Sequence, residues 1–129
     1  SGRRRSKADM RSDSLLQHIE TIETIASRVQ SFVRDMDEAS FLSDTRTQMA
    51  VMLCLVLIGE AVIKIDGEAP EFLAQHPNVP WAPIRDMRDL ILLDYVQVEL
   101  PAIWRAVTEI IPDLQEGVAT IRNWRAQGE

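Results

Sequence analysis

An all-α fold, an up-and-down bundle of four to five helices, is the class this sequence predicts, on three observations. Apolar residues recur at spacings of three and four through most of the chain. No stretch alternates with the period of two that marks a half-buried strand, and the connections are short enough to favour antiparallel neighbours. With 129 residues, 46% of them hydrophobic, the chain suits one domain with a real core, so neither disorder nor a disulfide-stapled miniprotein is needed.

Asp13, a good N-cap residue, is followed by Leu15, Ile19, Ile22, Ala26, Val29 and Val33, which predict an amphipathic first helix to about Arg34. A polar link over 35–40 comes next. Ser43 or Asp44 can cap a second helix reaching about Ile65, apolar on nearly all sides and therefore central. Gly59, Glu60 and Lys64 interrupt its apolar run well short of the roughly 18 to 20 residues that span a bilayer, so a buried helix is expected. Pro70, Pro77, Pro80 and Gly67 break the run 66–80 and leave room only for a turn of helix around 70–75.

A third helix begins near Trp81 to Pro83, where proline is tolerated in the first turn, and is expected to reach Tyr95. A fourth starts near Glu99 to Pro101, with Ile103, Val107 and Ile110 on one side. Pro112 should kink or break it, because proline removes an internal hydrogen bond. Leu114, Val118, Ile121 and Trp124 then place its continuation, or a fifth helix, over 113–125.

The formal charge of −6 hides an asymmetry, because Arg3, Arg4, Arg5 and Lys7 hold four of the 14 basic residues against 20 acids. The remaining body carries about −10, which argues against broad, charge-driven nucleic-acid binding and confines any such contact to a local site. Residues 1–9 are set apart as a basic arm or appended residues, and 10–129 as the single helical domain. Nothing apolar directly follows the arginines, so no signal peptide is expected. Cys54, alone and inside the apolar run of the second helix, reads as a small core hydrophobe. With no internal disulfide possible, a reducing cytoplasm is the expected location.

The third helix does not fit a pure core reading. Ile84, Met87, Leu90 and Ile91 fall on one arc, the expected core face. Arg88 and Tyr95, seven residues apart, lie nearly in line at its edge, with Arg85 further round. Asp86 and Asp89 lie opposite, and between them Leu93 projects about 180° from Ile84, where a solvated face calls for a polar residue. A helix that frays before Leu93, or a subunit interface there, accounts for the leucine as readily as a functional site does, and on residue types alone Arg88 and Tyr95 read as an ordinary bundle-edge pair.

Read in order, Ile58-Gly59-Glu60-Ala61, His76-Pro77-Asn78-Val79-Pro80-Trp81, Met87-Arg88-Asp89, Asp94-Tyr95, Ile103-Trp104 and Ile111-Pro112-Asp113-Leu114 form a set of motifs covering about residues 13–121. The ordered set resembles the HepT-like family of the HEPN superfamily of small helical ribonucleases. The resemblance implies the toxin of a HepT/MntA-type toxin–antitoxin pair, a homodimeric, metal-independent endoribonuclease whose composite site forms across the dimer. The family motif is an arginine, a polar residue, three further positions, a histidine, one position and a tyrosine. Arg88 matches the arginine, Asp89 the polar residue and Tyr95 the tyrosine, while Leu93 occupies the histidine position.

That departure matters because cleavage by a 2′-hydroxyl needs a proton acceptor at the sugar and a donor for the leaving oxygen, both suited to histidine near neutral pH. Leucine can do neither, so an inactive or impaired enzyme is expected. Such a leucine suits either an enzyme disabled so that it could be produced or a degenerate member kept for binding. The resemblance also implies an antitoxin partner, an MntA-like minimal nucleotidyltransferase that uses ATP to place AMP on the motif tyrosine, here Tyr95. Two alternatives remain at this level: a non-catalytic regulatory partner of such a nucleotidyltransferase, and the helical substrate-binding subunit of a two-protein one. His18 is expected on a solvated surface, and His76 in the connector has no catalytic role. Two distant histidines and one cysteine make no metal-ligand set, and no cofactor is expected in the chain itself.

Overall fold

The computed structural model describes residues 6–128, with side chains to residue 123. Arg3, Arg4 and Arg5 of the basic arm and the side chain of Trp124 lie outside the described residues. Among those described, seven α-helices and no strand occur: α1 Lys7–Phe32, α2 Glu38–Leu42, α3 Thr45–Glu68, α4 Pro70–Gln75, α5 Trp81–Leu93, α6 Leu100–Arg105 and α7 Ile111–Gly128. Side-chain bonds give the directions. Arg85 meets Asp66 while Arg88 meets Glu60, so α5 runs antiparallel to α3. His18 meets Glu68, and Arg122 meets Glu23 while Gln30 meets Gln115, so α1 runs antiparallel to both α3 and α7.

The expected bundle is therefore present, with α3 at its centre between α1 and α5. By length and composition α3 could cross a membrane, but its Val51, Leu55, Ile58, Val62 and Ile65 are core residues of this bundle. Burial pushes the Cys54 thiol up, in keeping with a packing role. The first-helix positions Ile19, Ile22, Ala26, Val29 and Val33 are all buried as their spacing requires.

Several boundaries differ from the sequence expectation, each for a local reason. Helix α1 begins at Lys7 rather than near Asp13, because Ser6 and Asp9 form a reciprocal capping box on each other's backbone. Lys7 to Asp9 thus belong to the helix and not to a separate arm. The link after α1 contains α2, capped by Asp37 accepting from the Ser40 N–H and anchored by fully buried Phe41. Asp44 is the cap of α3. Pro112 does not break the last helix: residues Ala106–Ile110 form one π turn in which the Ile111 N–H donates to the Ala106 carbonyl. A widened turn of this kind absorbs the donor that proline lacks.

Candidate active site

Gly59 decides how closely α5 can approach α3. A Cβ built there would lie 2.4 Å from Arg88 Cβ and 2.8 Å from its Cγ, so only glycine lets the arginine cross α3 at this point. The next residue on α3 then receives it. Arg88 Nε and Nη2 both donate to Glu60 Oε1, at 2.8 and 2.7 Å, and Nη1 donates to Asp89 Oδ1 at 2.7 Å. The bonds to Asp89 and then Glu60 raise the guanidinium's pKa above its ordinary value, so a fixed positive charge stands at the seam. One turn earlier, Arg85 Nη1 donates to Asp66 Oδ2 at 3.1 Å.

Gly59→Ala is expected to cost about 1 kcal/mol net: overpacking costs about 2, within a range of about 1–3, offset by about 1 from alanine's better helix propensity. Urea denaturation measures it. An alanine variant as stable as the parent would mean that α5 can back away from α3.

Tyr95 is placed differently from the expectation. Helix α5 stops at Leu93, and the Asp94 side chain accepts from the N–H groups of Val96 and Gln97. This side-chain turn replaces the helical bonds that would have carried α5 to Tyr95. Arg88 and Tyr95 are therefore not aligned on one helix. Tyr95, 61% exposed, instead lines an apolar groove of about 220 Å³ between α3 and α5, with Met49, Leu53, Val56 and Leu92. Leu93 is 83% exposed at the last position of α5. Leu90, expected in the core, is also exposed; the buried residues of α5 are Trp81, Ile84 and Ile91, with Met87 partly buried against the same core.

The arrangement brings Arg88 and Asp89 together and leaves Leu93 and Tyr95 open to solvent at the end of the same helix. Glu60, Gly59 and the Arg85–Asp66 pair were not expected site residues. The sequence signal for the first two was their place in the Ile58-Gly59-Glu60-Ala61 motif, a glycine and an acid inside an apolar helix.

The two histidines lie elsewhere. His18 is not on a solvated surface: its ring is mostly buried, and its Nε2 lies 3.1 Å from Glu68 Oε1 and 3.4 Å from Ser14 Oγ, while Ser14 Oγ donates to Glu68 Oε1 at 3.0 Å. Serine and glutamate both meet the same ring nitrogen, so the trio cannot relay a proton from one side of the imidazole to the other. His76 packs on Phe72 with ring centres 4.6 Å apart, and its carbonyl accepts from Trp81 Nε1 at 2.9 Å. These contacts fix the connector before α5.

Acid is expected to destabilise the fold in two stages. Burial lowers the His76 pKa from its ordinary 6.5. Below about 6.5 the unfolded chain therefore binds a proton that the folded one refuses, and stability falls until the folded value is passed. Glu68, held down chiefly by its bond to His18, and the helix caps Asp37 and Asp44, held down by backbone N–H groups, have pKa values lowered from 4.5, 3.8 and 3.8. Their stabilisation is present above those values and is lost as pH falls through the lower folded ones. Thermal melts from pH 8 to pH 3 check this, and His76→Phe should remove the first stage alone.

The all-α bundle is consistent with an HEPN-like fold. The chain belongs to the family described as Ribonuclease HepT-like, which matches residues 22–121. It is 34% identical over 98 residues to a probable ribonuclease HepT of Thermococcus cleftensis, an alignment covering 76% of this chain and 86% of that protein. A Methanocaldococcus jannaschii protein named as a candidate RNase is 32% identical over 99 residues, 76% of this chain and 79% of its own. Another so named, from Caldanaerobacter subterraneus subsp. tengcongensis, is 33% identical over 89 residues, 69% and 77% of the two chains. No solved structure gives a significant match.

Proposed function

We propose that this chain is the endoribonuclease of a HepT/MntA-type toxin–antitoxin pair, a homodimer with a composite RNA-cleaving site whose catalysis is impaired by Leu93. The observation that carries the reading is Arg88, fixed at the α3–α5 seam by Glu60 and Asp89, five residues before the position where the family motif has its histidine. An arginine so oriented can hold a phosphate and stabilise the charge that develops on it during cleavage. The proton-transfer group is what the site lacks.

The test is RNA cleavage by Leu93→His, with Arg88→Ala added to it as the control. Activity that appears with the first change and disappears with the second supports the reading. Intact RNA in both sinks it.

The homodimer is supported by the uncovered groove beside the motif, where Met49, Leu53 and Leu92 are each more than half exposed. Apolar surface of this kind is a common basis for closed twofold association. Light scattering at micromolar concentration should return twice the chain mass, and a single-chain mass would rule the dimer out.

A second reading, favoured by Leu93 and by the exposed Tyr95 phenol, is a non-catalytic partner of a minimal nucleotidyltransferase antitoxin. That enzyme would transfer AMP from its own ATP to the Tyr95 oxygen, with release of pyrophosphate. Mass spectrometry after co-expression with such a partner would find the AMP adduct on Tyr95; an unmodified peptide would count against this role.

A further inference from the structure

Arg85 and Arg88 lie one turn apart on α5 and both reach across the seam to carboxylates of α3, yet their guanidinium groups are used differently. Arg88 commits Nε, Nη1 and Nη2 to Glu60 and Asp89, and its side chain is 26% exposed. Arg85 makes a single bond, through Nη1 to Asp66, and its side chain is 36% exposed. Guanidinium offers five N–H donors in a fixed fork, so most of those on Arg85 have no acceptor among the described residues. Arg85 also borders an open groove of about 530 Å³ with Asp66, Trp81 and Pro83.

The charge of the whole chain makes this cation matter. A body this acidic cannot hold a polyanion by its general field, so an RNA strand must be held by a few local cations. Side chains three residues apart on a helix have Cβ atoms about 5–6 Å apart, a spacing that lets one extended strand present neighbouring phosphates to both arginines. The competing acid is a weak obstacle, because Asp66 is itself 40% exposed and a hydrated surface ion pair holds its partner loosely.

We infer that Arg85 is a second phosphate-binding residue of the RNA site, holding the phosphate next to the one at Arg88 and fixing the register of a single strand across α5. The inference rests on the ribonuclease reading above and adds to it a residue outside the arginine–histidine–tyrosine motif.

Anisotropy of a labelled single-stranded oligoribonucleotide, titrated with the full chain over a series of salt concentrations, tests it. Arg85→Ala is expected to weaken binding about tenfold, the effect of losing one charge-assisted contact, and to reduce the salt slope by about 0.7, the value for one phosphate of a single strand. Arg85→Lys should keep the slope. Asp66→Asn breaks the same ion pair but leaves the cation and removes a negative charge, so it should tighten binding. Equal weakening by Arg85→Ala and Asp66→Asn would make the pair merely structural and overturn the inference. So would binding lost in Arg88→Ala but unchanged in Arg85→Ala, an outcome that leaves the ribonuclease reading intact. No binding by the parent chain at any salt would remove that reading and this inference together.

Discussion

Leu93→His is expected to raise the rate of RNA cleavage by about 10²- to 10⁴-fold, the range that general acid–base catalysis ordinarily contributes. The leucine is 83% exposed at the end of α5, so an imidazole there meets water and substrate rather than core atoms, and the substitution carries little folding cost. Its ordinary pKa of about 6.5 lets it take the 2′-hydroxyl proton in its neutral form and protonate the leaving 5′-oxygen in its charged form. A twofold dimer would supply one such group from each protomer, so the restored activity should show a bell-shaped dependence on pH. The parent should show no corresponding feature, because leucine does not titrate. Arg88→Ala in the restored background should lose most of the gain, since the phosphate then lacks its fixed cation. A restored variant no faster than the parent at any pH would mean that position 93 does not face the reacting phosphate.

The largest effect on stability is expected at Phe41→Ala, a loss of about 3–5 kcal/mol. Phe41 is fully buried, and its ring centre lies 5.2 Å from that of Trp104 on α6. Its carbonyl accepts from the amide of Gln48, a buried polar side chain of α3, at 2.8 Å. One short helix thus joins α3 to α6 through one aromatic ring and one hydrogen bond. Truncating the ring leaves a cavity that three separate elements would have to close. Against a typical total of about 5–15 kcal/mol, this should lower Tm by roughly 10–20 °C, measurable by circular dichroism. A shift of only a few degrees would show that α2 is an ornament on the bundle rather than part of its core.

That helix also marks where reading the chain fell short. Helix α2 has five residues, too few to show a hydrophobic period, and its one buried side chain looks like any isolated apolar residue in a polar link. Its cap, Asp37 accepting from Ser40, is a local signal without a periodic run behind it. The start of α1 was written in Ser6 and Asp9, but those residues follow an arginine-rich stretch that drew them into a presumed arm. Tyr95 was misplaced by two residues because Asp94 offered the backbone a competing set of acceptors, and such competition leaves periodicity undisturbed.

Legible along the chain were the helical class, the order of the long helices, the buried face of α1, the central place of α3, and a motif with Arg88, Asp89 and Tyr95 present and leucine at position 93. Those follow from period, caps and residue order, all of which are local along the chain. Only the tertiary structure decided what Arg88 touches, that Gly59 lets it pass, that Arg85 stands half-free beside it, and that Leu90 and the groove by Tyr95 remain uncovered. Helical arithmetic gives the direction in which a side chain leaves its own axis. It contains nothing about how wide a face the neighbouring helix covers, or which acid on that neighbour waits there.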